Sequence, residues 1–255
     1  MDITNRDGAS RIVRAVLAAD MACEQHDLNT GAITVVSFEA RPDRRKFPIG
    51  NKPFCVVSMG TGIVVTTHSD RLDWMRTTLS EMRRDDVFSA GAIERISKYI
   101  KLDGQSLWGP DLKFVCSNSD PRPFSVPSGV EIALVVGNDI HELFRYKGFG
   151  HALSYRKDSP RPDILATVAT RDKQVVGIAA ASADCDAMWQ IGVDVVENAR
   201  GSGVGRALVG RLTQAVLDEG RLPYYSTVVS NIPSNNLAIS LGYWQAWVEM
   251  GAVDL

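Results

Sequence analysis

The sequence predicts an α/β protein. A C-terminal domain is built on a mixed central sheet flanked by helices, and a smaller α/β N-terminal domain precedes it. Three observations carry this reading. Short β-branched runs alternate with stretches whose apolar residues recur at helical spacing. A polar segment with Pro121, Pro123 and Pro127 interrupts that alternation near the middle of the chain. A glycine-rich turn, Arg200-Gly201-Ser202-Gly203-Val204-Gly205, joins an apolar strand-like run to an amphipathic one. The expected domains are 1–118 and 119–255.

In the first domain, residues 10–25 read as a helix with Ile12, Val13, Val16, Leu17 and Met21 on or near one face. Residues 33–40, 54–59 and 62–67 read as strands, the last two joined by the turn Gly60-Thr61-Gly62. Ser69 is the expected N-cap of a helix over 70–84, a further helix covers 90–101, and 112–116 is a closing strand. Residues 117–129 are the linker. The second domain then runs as strand 130–136, helix 139–147, strands 163–170, 175–182 and 188–196, helix 204–217 and strand 222–229. A short helix opens at Asn231 and ends at Leu241-Gly242-Tyr243. A reading of the first domain as a degenerate copy of the second lacks a second glycine loop.

At 255 residues the chain is long enough for two modest domains. With 45% hydrophobic and 23% charged residues and a net charge of −2, its composition is that of an ordinary globular protein, with no sign of a nucleic-acid surface. The one short basic run is Arg41, Arg44, Arg45 and Lys46, read as a solvated loop or as a docking patch for an acidic partner. Cys23, Cys55, Cys116 and Cys185 show no metal-ligand spacing, and Cys55 and Cys116 read as buried free thiols. No leader or membrane span is visible, so a cytoplasmic location and no membrane partner are expected. The sequence leaves oligomeric state open.

The glycine turn is the candidate site. A turn of this kind before a helix leaves main-chain N–H groups pointing outward at the positive end of the helix dipole, which suits a phosphate. No lysine follows Gly205, so the Walker pattern is excluded, and the alternating glycines do not follow the dinucleotide fingerprint. Arg200, Gly203 and Gly205 do fit Arg/Gln-x-x-Gly-x-Gly/Ala. This resembles the pyrophosphate loop of the GCN5-related N-acetyltransferase (GNAT) superfamily, which grips coenzyme A. Asn231, Ser234, Leu237, Gly242 and Tyr243 continue the family pattern, and the resemblance runs from about Glu131 to the C-terminus. The ending Gln245-Ala246-Trp247-Val248-Glu249-Met250 looks like a two-part bacterial subgroup that includes zwittermicin-resistance-type acetyltransferases.

The resemblance implies transfer of an acyl group from acetyl-CoA, or another acyl-CoA, to an amine of a small molecule, without a metal. It places the donor on Gly201, Ser202, Gly203, Val204 and Gly205, on the main chain of Val193 and Val195, and on Asn231, with Arg200 and Arg206 adding positive charge near the phosphates. Two positions that carry catalytic groups in many relatives are empty. Ala238 stands where a thiolate-protonating tyrosine is common, and Trp189, Ile191, Val193 and Val195 share the strand face on which a base is often found. Asp194 lies on the opposite face and is not named as the base. The remaining catalytic candidates are Asp184, His151, Tyr225 and Ser226, the last two on opposite faces of one strand. Phe149, Trp189 and Asp186 are the candidate acceptor contacts. Two alternatives stand beside this reading: an acyl donor carried on the phosphopantetheine of an acyl carrier protein, with Arg206, Arg211 or the basic run docking the carrier, and a non-catalytic CoA-binding module.

Overall fold

The computed structural model describes residues 1–154 and 156–255. In chain order its elements are α1 (Arg6–Met21), β1 (Ile33–Ser37), β2 (Phe54–Ser58), β3 (Ile63–Thr67), α2 (Leu72–Ser80), α3 (Ala90–Lys101), β4 (Gln105–Val115), β5 (Glu131–Val136), α4 (Ile140–Leu143), β6 (Asp163–Arg171), β7 (Gln174–Ser182), β8 (Met188–Val195), α5 (Val204–Asp218), β9 (Leu222–Val228), α6 (Ile232–Ser240) and β10 (Trp244–Asp254). The α/β class is as the sequence predicts. The chain divides into two compact units, and neither is contiguous. One comprises Met1–Ile12, Phe114–Ser226 and Asn231–Trp244; the other comprises Val13–Lys113, Thr227–Ser230 and Gln245–Leu255. This differs from the expected break after residue 118 at both ends of the chain. Strand pairing explains part of it: β10 pairs antiparallel with β2, Val248 opposite Ser58, and a pairing between ends of the sequence leaves no mark on local composition.

In the unit holding Val13–Lys113, β1 runs parallel to β3 and β3 antiparallel to β2. Phe54, Val56, Ile63 and Val65 on these strands meet Met75 and Leu79 of α2 and Ile96 and Ile100 of α3 in one core. Alternate strand residues and helix residues four apart point to the same side, so both patterns converge. Ser89 caps α3 by accepting the N–H of Ala92. The helix expected over 70–84 is shorter, with a 3-10 turn at Ser69–Arg71 capped by His68 rather than Ser69. The strand expected over 112–116 begins already at Gln105. Its Gly109-Pro110 pair reads as a turn in isolation, and sheet pairing outweighs that local preference.

The three arginines of the basic run bond within the protein, and Lys46 is exposed. Arg41 donates to the carbonyl of Cys23 at 2.7 Å, and Arg44 to that of Phe47 at 2.7 Å. Arg45 is 2% exposed; its Nε donates to Asp20 Oδ2 at 2.5 Å and its Nη2 to Glu249 Oε2 at 2.8 Å, an oxygen that also accepts from Trp247 Nε1 at 2.8 Å. Burial pushes both carboxyls up; at Glu249 the Arg45 and Lys113 charges outweigh it and bring the group down to about 2, while Asp20 stays raised.

In the other unit, β5, β6, β7 and β8 form an antiparallel run, and β9 joins β8 in parallel. Helix α5 packs on one face of these strands, burying Val204, Leu208, Leu212, Ala215 and Val216. Ile140, Leu143, Phe149, Ala152 and Leu153 cover the opposite face against Ala166, Val168, Ile178 and Ala180. The helix expected over 139–147 is a 3-10 turn at Gly137–Asp139 followed by four residues of α4. The core explains the shortening: Phe149, Ala152 and Leu153 must reach the same apolar cluster as Ile140 and Leu143, which a continued helix would carry them past. The proline-rich linker lies along α5, where Phe124 meets Gly210 and the carbonyl of Pro123 accepts from Arg206.

Replacing Arg45 by alanine leaves Asp20 and Glu249 buried without their cation. Chemical denaturation of this variant is expected to show a loss of about 3–5 kcal/mol.

Candidate functional site

Strand β8 is held on three sides and open on the fourth. It pairs with β7 along its length, from Gly177 opposite Val195 to Ser182 opposite Gln190. With β9 it pairs only from Met188 opposite Leu222 to Ile191 opposite Tyr225. Beyond that point the two parallel strands separate, among the described residues, leaving a split flanked by Val193 and Val195. Val195 faces α5, its Cγ2 lying 3.4 Å from where a side chain at Gly205 would begin.

The opposite face of β8 is roofed. Asp194 Oδ2 accepts the main-chain N–H of His151 at 2.8 Å and of Ala152 at 2.9 Å. That draws the 149–153 segment onto the strand so closely that any Cβ at Gly192 would collide with the carbonyl oxygen of His151. Asp194 is therefore a structural anchor, in keeping with its exclusion as a base. His151 is engaged through its main chain while its side chain is exposed.

The glycine loop leads directly into α5. Gly203 is the N-cap with φ +89, a left-handed conformation that favours glycine, and its cap makes no side-chain hydrogen bond. The first bond of the helix runs from Ala207 N to Gly203 O, so the N–H groups of Val204, Gly205 and Arg206 have no acceptor within the helix. Other loop side chains are turned inward. Ser202 Oγ donates to Ala199 O at 2.6 Å, and Arg200 Nε to Val195 O at 3.1 Å, tying the loop to the strand. Arg206 departs from its expected place: its Nη2 donates to the carbonyls of Pro123 at 3.0 Å and Ser240 at 3.2 Å, so it braces the linker against the end of α6. Asn231 caps α6, its Oδ1 accepting from Ser234 N at 3.2 Å.

The catalytic candidates separate. Asp184 is fully buried, accepts from Ser182 Oγ at 2.9 Å and from the Tyr224 hydroxyl, and lies 3.3 Å from Arg161 Nη1. Asp186 is exposed in the same hairpin turn. Tyr225 is buried at the last paired position of β9, bonded to the Ser234 side chain and edge-on to Tyr243. Burial raises its hydroxyl above the ordinary tyrosine range, so it is a protonated donor at neutral pH. Ser226, half-buried, is on the other face. The expected acceptor contacts are not brought together. Phe149 is in the core, whereas Trp189 is half-buried on the α5 face with Arg221 over its ring.

Sequence reasoning missed Arg161, Asp163, Gln190 and Tyr224, which gather around Asp184. The signal available was polar residues within otherwise apolar strands. Burial pushes the Asp163 carboxyl up to about 7, with the Asp184 charge adding to the rise and Arg161 opposing it. Among the described residues no group of three or more His, Cys, Asp or Glu side chains is placed to hold a metal ion, and no helix is long and apolar enough to cross a membrane.

Fold and site together define a class: an α/β domain in which a split parallel strand pair leads to a glycine loop and a helix N-terminus whose first N–H groups lack helical acceptors. The sequence profile of the Acetyltransferase (GNAT) family matches residues 137–243. Residues 137–243 are thus similar to a family of acetyltransferases. A search of curated protein sequences returns no match. Among solved structures, a GCN5-related N-acetyltransferase-like protein from Streptococcus suis is 22% identical, with 63% of this chain and 67% of that one covered and a TM-score of 0.46. A GCN5-related N-acetyltransferase from Sphaerobacter thermophilus is 16% identical, with 75% and 72% covered and a TM-score of 0.47. A tandem GNAT protein from the clavulanic acid biosynthesis pathway is 14% identical, with 62% and 58% covered and a TM-score of 0.43. At these scores the likenesses carry no functional weight, and the assignment rests on residues 137–243.

The raised Asp163 predicts a pH dependence of stability. The folded carboxyl titrates near 7 and an unconstrained one near 3.8, so its favourable protonated state is lost as pH rises through about 7. Asp163→Asn is expected to raise Tm at pH 8 and to change it little at pH 4, as read by calorimetry at the two pH values.

Proposed function

We propose that the protein is a small-molecule N-acyltransferase, moving an acetyl group in the simplest case from the thioester of coenzyme A to an amine, in the modification of an antibiotic or another secondary metabolite. The observation that carries this reading is the cradle at the start of α5. Three helix N–H groups without helical acceptors lie at the end of a strand whose partner has split away, and Gly201 and Gly203 set no side chain over them. A diphosphate fits those donors, and an extended pantetheine arm fits the split beside Val193 and Val195. Arg200 holds the loop to β8 through its Nε and leaves the rest of its exposed guanidinium for the phosphates, and Asn231 caps α6 beside the split.

When bound, the donor supplies an acyl carbon already activated as a thioester. The neutral amine forms the C–N bond as the C–S bond breaks; the nitrogen gives one proton to solvent and the departing sulfur takes one, so the chain must orient the amine and protonate the sulfur. Tyr225 suits the second task. It stands where the strand pairing ends, its hydroxyl is protonated at neutral pH, and Ser234 holds it from α6. For the carrier-protein alternative, Arg41, Arg44, Arg45 and Arg206 are engaged within the protein, and exposed Lys46 and Arg211 are the remaining docking cations of those named.

Calorimetric titration tests the donor assignment. The protein is expected to bind acetyl-CoA in the micromolar range and 4′-phosphopantetheine much more weakly; equal affinity, or none for acetyl-CoA, overturns a CoA-dependent reading. Gly203→Asp, which puts a negative charge at the cradle, is expected to abolish acetyl-CoA binding, with Gly203→Ala separating backbone strain from charge. Tyr225→Phe is expected to lower kcat by roughly 100-fold with acetyl-CoA affinity unchanged.

A further inference from the structure

One row of polar side chains crosses the sheet on the face away from α5. Asp163 on β6 is opposite Ser182 on β7, Ser182 opposite Gln190 on β8, and Gln190 opposite Tyr224 on β9. Residues directly opposite one another project to the same side, so the four form a ladder. Asp184 joins it through Ser182 and Tyr224, and Arg161 pairs with Asp184. Tyr224 and Asp184 are fully buried, and Ser182, Arg161 and Asp163 are 3%, 5% and 6% exposed. Gln190 alone is half-buried.

Stability does not ask for this arrangement. Burying ions costs several kcal/mol per group before pairing returns any of it, and apolar packing serves as well. Further along the same face the strands carry Ala166, Ile178 and Ala180. The ladder instead ends at a defined place, because Gln190 and Tyr224 are the last pair on this face before β8 and β9 separate beyond Ile191 and Tyr225. At that point the Tyr224 hydroxyl lies 2.9 Å from Gln190 Oε1 and also bonds the Asp184 carboxylate. Gln190 Oε1 accepts from the Tyr224 hydroxyl through one lone pair, and a phenol whose one proton is shared with a carboxylate fills that place only in part. An amide oxygen has a second lone pair, so Gln190 Oε1 is a half-buried acceptor with room for another donor, held still near the open split.

We propose that Gln190 Oε1 receives an N–H of the acceptor, a primary amine, with Tyr224 and Asp184 as positioning residues that act through it. This rests on the N-acyltransferase reading. The chemistry favours an amide here. An amide oxygen accepts one N–H of the neutral amine and leaves the nitrogen lone pair for the acyl carbon. A carboxylate in the same place traps the amine as an ammonium ion. The amine then approaches from the ladder face, while Tyr225, on the other face of β9, serves the sulfur.

The test measures acetyl transfer from saturating acetyl-CoA to ethanolamine, phenethylamine and spermidine, with acetyl-CoA affinity as the control for folding. Gln190→Leu is expected to raise the acceptor KM about 10-fold, the loss of one hydrogen bond, without changing acetyl-CoA affinity. Gln190→Glu is expected to displace the acid limb of the kcat profile upward by about one pH unit, which a packing role does not produce. Tyr224→Phe is expected to add nothing further in the Gln190→Leu background. An unchanged acceptor KM and pH profile in the Gln190 variants of an active enzyme overturns this proposal and leaves the functional reading intact. A wild-type protein that binds acetyl-CoA and acetylates none of the three amines overturns the reading and the proposal together.

Discussion

The main-chain N–H groups of His151 and Ala152 both donate to Asp194 Oδ2, and the geometry of the site depends on that bond pair. It brings the 149–153 segment down on one face of β8, and only a glycine at 192 tolerates the approach. On the other face Val195 meets α5 at Gly205. With β7 along one edge, β8 is fixed on three sides, and the departure of β9 after Tyr225 opens the fourth. The same strand then runs into the glycine loop, with Arg200 reaching back to the Val195 carbonyl. The glycine loop with its unbonded helix N–H groups and the split are two consequences of one constrained strand.

The end of the β8–β9 pairing also sorts the chemistry by face. Tyr225 and its partner Ser234 lie on one side of β9, Tyr224 and Gln190 on the other. Strand alternation makes this unavoidable for neighbouring residues. In the proposed reaction, the group that protonates sulfur and the group that orients nitrogen are thereby kept apart, each reaching the acyl carbon from its own side of the sheet.

Both units bury an arginine among acids. Arg45 holds Asp20 and Glu249 in one, and Arg161 pairs with Asp184 beside Asp163 in the other. Their settings differ. The Arg45 cluster is closed over by Trp247 and Phe47 and joins distant parts of the chain, so it reads as a fastening. The Arg161 cluster leads through Asp184 and Tyr224 to the half-buried Gln190. Burial depth is similar in the two, and the difference lies in what each reaches.

The local sequence determined the α/β class, helix α3 to the residue, helix α5 and most strands to within a few positions, and the glycine loop with its helix. These are short-range properties: residue period, N-cap chemistry, and the few φ values that need glycine. It also marked Asp194 as facing away from its neighbours, since alternation along one strand is local. Only the tertiary structure decided that residues 245–255 belong with Val13–Lys113, that α4 stops after four residues, and that Arg45 and Arg206 turn inward. The sequence offers Asp184 as a catalytic candidate between two strands, while Arg161 and Tyr224, which make it a buried ion-paired group, come from elsewhere in the chain. The Asp163–Ser182–Gln190–Tyr224 ladder was invisible for the same physical reason: it follows from the register of four strands, and register is set by packing and hydrogen bonding between segments rather than by the residues of any one of them.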